Sequence, residues 1–263
     1  MDVAVEAETQ GERDKRRYQR TLFDGVAGRY QESRPGYPSH VVDFVVSTAG
    51  LDAGSTVLEV GCGTGQLTER LASFGCALTA IDIGPAMIAA ARRRLADSRV
   101  SFQVVSFEDL AAGDASFDLV ISGCAFHWID PDVRFAKSAR LLRPGGWLAV
   151  TGCSEHYDEP LGSALDGLWL TRAADDGAWA TRPADATAFS DSGLFAAPVR
   201  RTFTRRATYS AEGVMGVENT RATSLSWPQD VRDGFNAELR QLLGGREVPL
   251  TLEAPVTMAR VRG

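Results

Sequence analysis

Residues 57–65 read VLEVGCGTG, which predicts a strand that runs into a glycine-rich turn. The first four residues are apolar except for Glu59, as expected for a buried strand. Glycines follow at alternate positions, Gly61, Gly63 and Gly65, so the backbone can turn sharply and approach a ligand closely. The residues after the turn have helical periodicity and contain no helix breaker. A strand, a glycine loop and a helix in this order indicate a nucleotide-binding turn.

Short apolar runs and amphipathic segments alternate from this turn to Thr151. We predict strands at about 56–60, 77–82, 101–105, 117–122 and 147–151, with helices between them. Alternation at such short intervals implies right-handed crossovers and therefore an α/β fold with a parallel sheet. Because ligands of such sheets bind beyond the carboxyl ends of the strands, we expect the chemistry at 59–65, 82–87, 106–109 and 122–130.

The pattern is looser at both ends of the chain. Residues 1–18 are polar and charged, and we expect a flexible tail there. After Thr151 the sequence predicts a helix near 164–174, a strand at 199–209, a helix at 230–244, and strands near 248–252 and 256–258.

The composition is that of a globular protein. The chain has 263 residues, 44% of them hydrophobic and 24% charged. No apolar stretch reaches the roughly 18 residues of a membrane helix, and the N-terminus lacks the apolar core of a signal peptide, so a cytoplasmic location is expected. The net charge of −6 argues against a general nucleic-acid coat, which usually needs a basic face.

The four cysteines are Cys62, Cys76, Cys124 and Cys153, widely spaced and without a CxxC pair. This spacing argues against a zinc site and against a disulfide framework, so no metal site is predicted. We expect reduced thiols that act as small core residues.

The glycine spacing discriminates between nucleotides. A dinucleotide-binding GxGxxG motif would need glycine at position 66, where this chain has Gln66, so binding of NAD is disfavoured. A Walker loop is excluded because the chain contains no GxxxxGK[ST] pattern.

Five stretches in order resemble the motifs of class I S-adenosylmethionine-dependent methyltransferases. They are EVGCGTG at 59–65, AIDI at 80–83 followed by Met87, VSFEDL at 105–110, FDLVIS at 117–122 and LLRPGG at 141–146. The N-terminal segment from Phe23 to Pro38 and the stretch AFHWID at 125–130 resemble the small-molecule branch, the type 11 and trans-aconitate-like methyltransferases. The resemblance covers about residues 20–153.

The resemblance implies a Rossmann-like, doubly wound, seven-stranded and mostly parallel sheet, with helices on both faces and an antiparallel C-terminal strand. It also implies one methyltransferase domain over 19–263. Within it, a cofactor-binding core at 19–153 precedes a substrate-side insertion at 154–225 and C-terminal elements at 226–263. The implied cofactor is S-adenosylmethionine. The implied partner is a small-molecule acceptor, with oxygen favoured as the methylated atom by family frequency. Neither nucleic acid nor a membrane is implied as a partner.

The candidate residues for the ribose and methionine parts of the cofactor cluster at two strand ends. Asp82 ends the second strand, where a carboxylate accepts both hydroxyls of a ribose diol. Gly61, Cys62 and Gly63 expose backbone groups to the methionine part. Glu59 either orients the cofactor's ammonium group through water or braces the loop, and the sequence leaves both open.

The resemblance places adenine next to residues 107–109. The backbone amide of Phe107 and the carboxylate of Glu108 or Asp109 are the candidate polar contacts, and the choice between the two acids stays open. Ile83 and Met87 are apolar candidates that pack on the ring, although Met87 is equally compatible with core packing.

Four further candidates surround the reactive end of the cofactor. Ser122 ends the fourth strand, where that end is expected to pass. His127 is the best candidate for a catalytic base, or else it shapes the cofactor pocket together with Trp128. Tyr30 and Arg34 either close over the cofactor or pack an N-terminal turn.

Three other functions compete with methyl transfer as interpretations of the sequence. An NAD(P)-dependent oxidoreductase is disfavoured by Gln66 and by the lack of a Tyr-xxx-Lys pair. A DNA methyltransferase that modifies amino groups would carry a Pro-Pro-aromatic stretch after the fourth strand, where this chain has SGCAF at 122–126. A non-catalytic protein that binds S-adenosylmethionine stays open.

Overall fold

The glycine turn follows a central strand of a mixed sheet. A computed structural model describes residues 8–96, 98–173 and 186–262, and within these ranges the sheet has eight strands. They are β1 (Thr56–Val60), β2 (Ala77–Asp82), β3 (Ser101–Val104), β4 (Phe117–Gly123), β5 (Leu142–Thr151), β6 (Ser154–Tyr157), β7 (Val199–Tyr209) and β8 (Val248–Arg260).

The strand order is β3-β2-β1-β4-β5-β8-β6, with β7 also paired to β8. Strands β1 to β5 pair in parallel, whereas β8 runs antiparallel to β5, β6 and β7. β5 and β6 pair successively with the same edge of β8, since Thr151 faces Val256 and Ser154 faces Glu253. β6 therefore continues β5, and the eight strands occupy the predicted seven positions across the sheet. The predicted fold class is confirmed.

Helices cover both faces of the sheet and its carboxyl edge. They are α1 (Gln10–Gln19), α2 (Ala27–Ser33), α3 (Ser39–Ala49), α4 (Gln66–Ala72), α5 (Pro85–Arg94), α6 (Pro131–Leu141), α7 (Leu161–Ala173), α8 (Ala186–Asp191), α9 (Ala211–Glu218), α10 (Ala222–Ser226) and α11 (Gln229–Leu243). None of these helices in the described part of the chain is both long and apolar enough to span a membrane.

The core lies on both sides of the sheet because neighbouring strand residues point to opposite faces. Val57 belongs to a buried cluster with Val41 of α3 and Leu67 of α4. Leu58, the next residue of β1, belongs to the cluster on the other face with Phe135 of α6. A third cluster joins α7, α9 and α11 beside the sheet. The glycine turn is thus carried by a strand that is packed on both faces.

Two sequence predictions about the chain's ends need correction. The expected flexible tail does not hold for residues 10–18, which form α1, whereas residues 1–7 lie outside the described residues. α1 begins at a capping box, in which the Thr9 side chain and the Glu12 carboxylate accept each other's backbone amides. The two C-terminal strands predicted at 248–252 and 256–258 are one continuous strand, β8, because β7 pairs without interruption with residues 248–258.

Candidate active site

The three glycines of the turn all have positive φ, +71° at Gly61, +55° at Gly63 and +87° at Gly65. A Cβ on Gly61 would lie 2.3 Å from the Cβ of Ala125, so this glycine is required by packing between the β1 and β4 loops. A Cβ on Gly63 would meet only Tyr30, at 4.0 Å. The middle glycine therefore borders open space, and a ligand can approach the backbone there.

Asp82 connects the end of β2 to the glycine turn. Its carboxylate accepts hydrogen bonds from the backbone amides of Gly63 at 2.9 Å and Gly84 at 2.8 Å. Burial raises the pKa of this carboxyl above its ordinary value. The side chain fixes the loop and still has oxygen lone pairs for a ligand.

Two adjoining cavities open at the carboxyl edge of the sheet. The apolar cleft has a volume of about 700 Å³, and its hydrophobic lining includes Ile81, Ile83, Met87, Val105, Phe107 and Ile129. The polar cleft encloses about 510 Å³ and contains the side chains of Arg34, Glu59, Gln66 and Glu155. The clefts share Tyr30, Gly61, Gly63, Gly123 and Cys124, so they meet at the glycine turn.

Glu108 supplies a free acceptor to the apolar cleft. Its Oε1 accepts from Arg20 at 2.7 Å and from the Asp130 amide at 3.1 Å, and its buried Oε2 has no hydrogen-bond partner among the described residues. Burial raises the pKa of Glu108, but hydrogen bonds from backbone amides and Arg20 outweigh it and bring the pKa below the ordinary value. Asp109 is exposed and bonded to Ser106 at 2.6 Å, and it does not line either cleft.

The N-terminal segment covers the apolar cleft. Phe23 makes edge contacts with Tyr30 and Trp128, with ring centroids 6.0 and 5.8 Å apart. Arg16 donates to the Trp128 carbonyl at 3.0 Å, and Asp24 accepts from the Ala86 amide at 2.7 Å. Residues predicted as tail and N-terminal turn thus form one wall of the site, which restricts solvent access.

Arg34 reaches the polar cleft from the end of α2. Its Nε donates to the Thr220 hydroxyl at 3.0 Å and its second terminal nitrogen donates to the Thr220 carbonyl at 2.9 Å. The remaining nitrogen, NH1, lies 3.7 Å from Oε1 of Glu155. One edge of the guanidinium is therefore fixed by the protein and the other faces the cleft.

Three unpaired buried atoms belong to residues that line the polar cleft. Glu59 Oε2, Gln66 Nε2 and Glu155 Oε1 are buried and receive or donate no hydrogen bond within the described ranges. Burial raises the pKa of Glu59 to about 8, so this carboxyl is mostly uncharged at neutral pH in the free protein. Buried polar atoms are normally paired, so such a cluster indicates a ligand-binding site.

Two other predicted residues lie away from the clefts. The Ser122 hydroxyl donates to the Val60 carbonyl at 2.9 Å and so joins β4 to β1. His127 packs on Trp128 with ring centroids 4.6 Å apart, and burial lowers its pKa to about 4. Neither side chain lines the apolar or the polar cleft. This placement disfavours His127 as the catalytic base.

The other predicted contacts come together as expected. Tyr30, Arg34, Glu59, Gly61, Cys62, Gly63, Asp82, Ile83, Met87, Phe107 and Glu108 all line one cleft or both. Sequence reasoning missed Arg20, Cys153 and Glu155 as lining residues. The rule that sites lie beyond strand ends contained a signal for the last two, because they directly follow β5.

The described residues combine a Rossmann-like sheet, an acidic GxGxG turn, an acid at the end of β2 and adjoining apolar and polar clefts. This combination is typical of the fold of class I S-adenosylmethionine-dependent methyltransferases. Residues 58–150 match the family model described as a methyltransferase domain. These residues therefore form a methyltransferase domain, and the resemblance seen in the sequence is confirmed for this domain.

Particular relatives agree with this assignment. The chain is 34% identical over 140 residues to an uncharacterized methyltransferase of Mycobacterium tuberculosis, covering 53% of this chain and 54% of that protein. It is 38% identical over 139 residues to the ubiquinone biosynthesis O-methyltransferase of Xanthomonas oryzae, covering 49% and 58%. The chain thus spans little more than half the length of these relatives. The structure of a proposed type II methyltransferase from Anaeromyxobacter dehalogenans superposes with a TM-score of 0.66 at 26% identity, over 87% of this chain and 97% of that one.

Proposed function

We propose that this protein transfers a methyl group from S-adenosylmethionine to an oxygen atom of a small-molecule acceptor. The observation that carries the proposal is the pair of clefts that meet at Gly63, one apolar and one polar. S-adenosylmethionine is divided in the same way: its adenosine part has an apolar ring, its methionine part is a zwitterion, and the sulfonium joins the two.

The apolar cleft fits the adenosine part. The Asp82 carboxylate would accept from the ribose hydroxyls, and the unpaired Oε2 of Glu108 would accept from the exocyclic amine of adenine. Ile83 and Met87 offer an apolar surface for the ring. Because Glu108 faces this cleft and Asp109 does not, we assign the adenine contact to Glu108.

The polar cleft fits the methionine part. NH1 of Arg34, which faces this cleft beside Glu155, would donate to the carboxylate, while the open backbone at Gly63 leaves room for the chain of the donor. Glu59 lies near the end of β1, just before the turn, and lines the same cleft.

When bound, S-adenosylmethionine would supply a methyl group whose bond to the cationic sulfur breaks as the bond to the acceptor oxygen forms, so that S-adenosylhomocysteine leaves and a hydroxyl acceptor loses its proton to solvent. The protein contributes alignment, which supplies roughly 7–11 kcal/mol in favourable cases. Phe23, Tyr30 and Trp128 cover the apolar cleft and limit the access of water. We assign His127 to packing, because its ring does not line the clefts. The Xanthomonas relative, an O-methyltransferase by name, supports oxygen as the acceptor atom.

Calorimetry tests the donor. Saturable binding of S-adenosylmethionine and S-adenosylhomocysteine is expected, and a response to NADH alone would contradict the proposal. Asp82→Ala should weaken donor binding roughly tenfold or more, whereas Asp109→Ala, which removes an exposed acid, should not. Transfer of labelled methyl to a panel of alcohols, phenols, amines and carboxylates tests the acceptor atom. Label found only in amine products would refute oxygen.

A further inference from the structure

Glu155 lies outside every sequence motif but faces the polar cleft. It sits on β6, just beyond the end of β5, and its side chain is 1% exposed. Oε2 accepts from Arg221 at 3.2 Å. Oε1 has no hydrogen-bond partner in the described part of the chain, and Arg34 NH1, at 3.7 Å, is beyond hydrogen-bond distance. A buried carboxylate oxygen is therefore available to a ligand.

The neighbouring charges keep Glu155 paired when Arg34 engages a ligand. Arg221 contacts Glu155 and also donates to both oxygens of Glu218, at 2.7 and 3.0 Å. Glu218 accepts in addition from Tyr157 at 2.8 Å. The two arginines, Arg34 and Arg221, match the two glutamates, Glu155 and Glu218, in number. Glu155 therefore has a cationic partner in Arg221 even when Arg34 binds a ligand.

The spacing of Arg34 NH1 and Glu155 Oε1 matches an α-amino acid. The ammonium and carboxylate of such a molecule are attached to one carbon, so a cation and an anion 3.7 Å apart can bind both charges. Thr220 fixes the other edge of Arg34, so the guanidinium does not rotate away.

We propose that Glu155 and Arg34 form a clamp for the amino-acid end of the donor, in which Glu155 accepts from the ammonium and Arg34 donates to the carboxylate. This inference rests on the proposed function. It assigns the ammonium contact to Glu155 rather than Glu59, which is embedded at the base of the glycine turn and is mostly uncharged at neutral pH.

The test compares two ligands by calorimetry at pH 7: S-adenosylhomocysteine and its analogue that lacks the amino group. The wild-type protein should bind the first roughly 10–100 times more tightly, because a charge-assisted hydrogen bond is lost with the second. Glu155→Gln should reduce this preference to below about threefold and leave the affinity for the deaminated analogue nearly unchanged. Glu32→Gln, at an exposed position of α2, is the control and should retain the preference. Glu59→Gln tests the competing assignment of the ammonium contact and should retain it as well. Near-ultraviolet circular dichroism verifies that each variant is folded.

Each other outcome has a distinct meaning. Equal binding of both ligands by the wild-type protein overturns the clamp, whether or not Glu155→Gln folds, and leaves the donor assignment intact. Loss of the preference in Glu59→Gln alone also overturns it. An equal loss of affinity for both ligands in Glu155→Gln would show that Glu155 only positions Arg34. Binding of neither ligand to the wild-type protein would refute the proposed function itself.

Discussion

The buried carboxyl of Glu59 should make the stability of the free protein depend on pH. Burial raises its pKa from the ordinary 4.5 to about 8. The contribution of the neutral carboxyl to folding is fully present below pH 4.5 and is lost as the pH rises through 8. Between these values the native state holds one proton at Glu59 that the unfolded chain releases. Replacement by the non-titrating glutamine removes this difference.

The size of the effect follows from this one proton. The free energy of unfolding should fall by about 1.4 kcal/mol per pH unit because of Glu59, or roughly 2–3 kcal/mol between pH 5.5 and 7.5. Glu59→Gln also replaces a carboxyl, whose Oε2 lacks a partner among the described residues, by an amide. That change shifts the free energy of unfolding by roughly 1–3 kcal/mol at every pH. In a plot of this free energy against pH, it therefore offsets the variant from the wild-type protein but does not change the slope of either curve.

Urea unfolding followed by circular dichroism measures both slopes. The wild-type protein, Glu59→Gln and a control, Glu32→Gln at an exposed position of α2, are compared at pH 5.5, about 6.5 and 7.5. Other titrating groups are common to all three proteins and cancel in the differences. Parallel curves for the wild-type protein and Glu59→Gln would refute the reasoning, because they would mean that the buried carboxyl is already ionised.

Three further predictions concern the clefts. Gly63→Ala should destabilise the protein by only about 1–2 kcal/mol yet weaken donor binding about tenfold or more. Gly61→Ala, whose Cβ would lie 2.3 Å from the Cβ of Ala125, should lower stability by roughly 2–4 kcal/mol. Urea unfolding measures stability and calorimetry measures binding, and equal stabilities of the two variants would contradict this prediction. Glu108→Ala should weaken S-adenosylhomocysteine binding about tenfold, while Asp109→Asn should stay within about twofold in the same titration; the reverse order would reassign the adenine contact. His127→Phe should retain turnover within about threefold, because a packing residue is replaced by one of similar shape; initial rates with an identified acceptor test this, and a loss of about 100-fold or more would restore His127 as a base.

The sequence predicted many of the residues that line the two clefts, because these residues follow strands. The glycine turn, Asp82 and Glu108 lie at strand ends, and a parallel sheet brings those ends to one edge whatever the details of packing. The same rule did not decide between Glu108 and Asp109. That choice depends on which carboxylate turns inward, and Arg20, from a segment expected to be a tail, holds Glu108 in place.

His127 shows the limit of a rule based on position along the chain. It follows β4, at the edge where chemistry was expected, but its ring packs on Trp128 instead of lining the clefts. Side-chain direction after a strand depends on backbone torsions and on neighbours that are distant in sequence. The same reasoning explains why α1 was missed, although the capping box at 9–12 was a readable signal.

The sequence by itself determined the sheet, the glycine turn and the class of cofactor, because these depend on local periodicity, on glycine's access to positive φ and on residues next to strands. Only the tertiary structure decided the rest. It placed Arg34 beside Glu155, 121 residues away in the sequence, and held that arginine with Thr220 from the end of α9. The pairing depends on how α2, β6 and α9 pack together, and no local pattern in the chain encodes that arrangement.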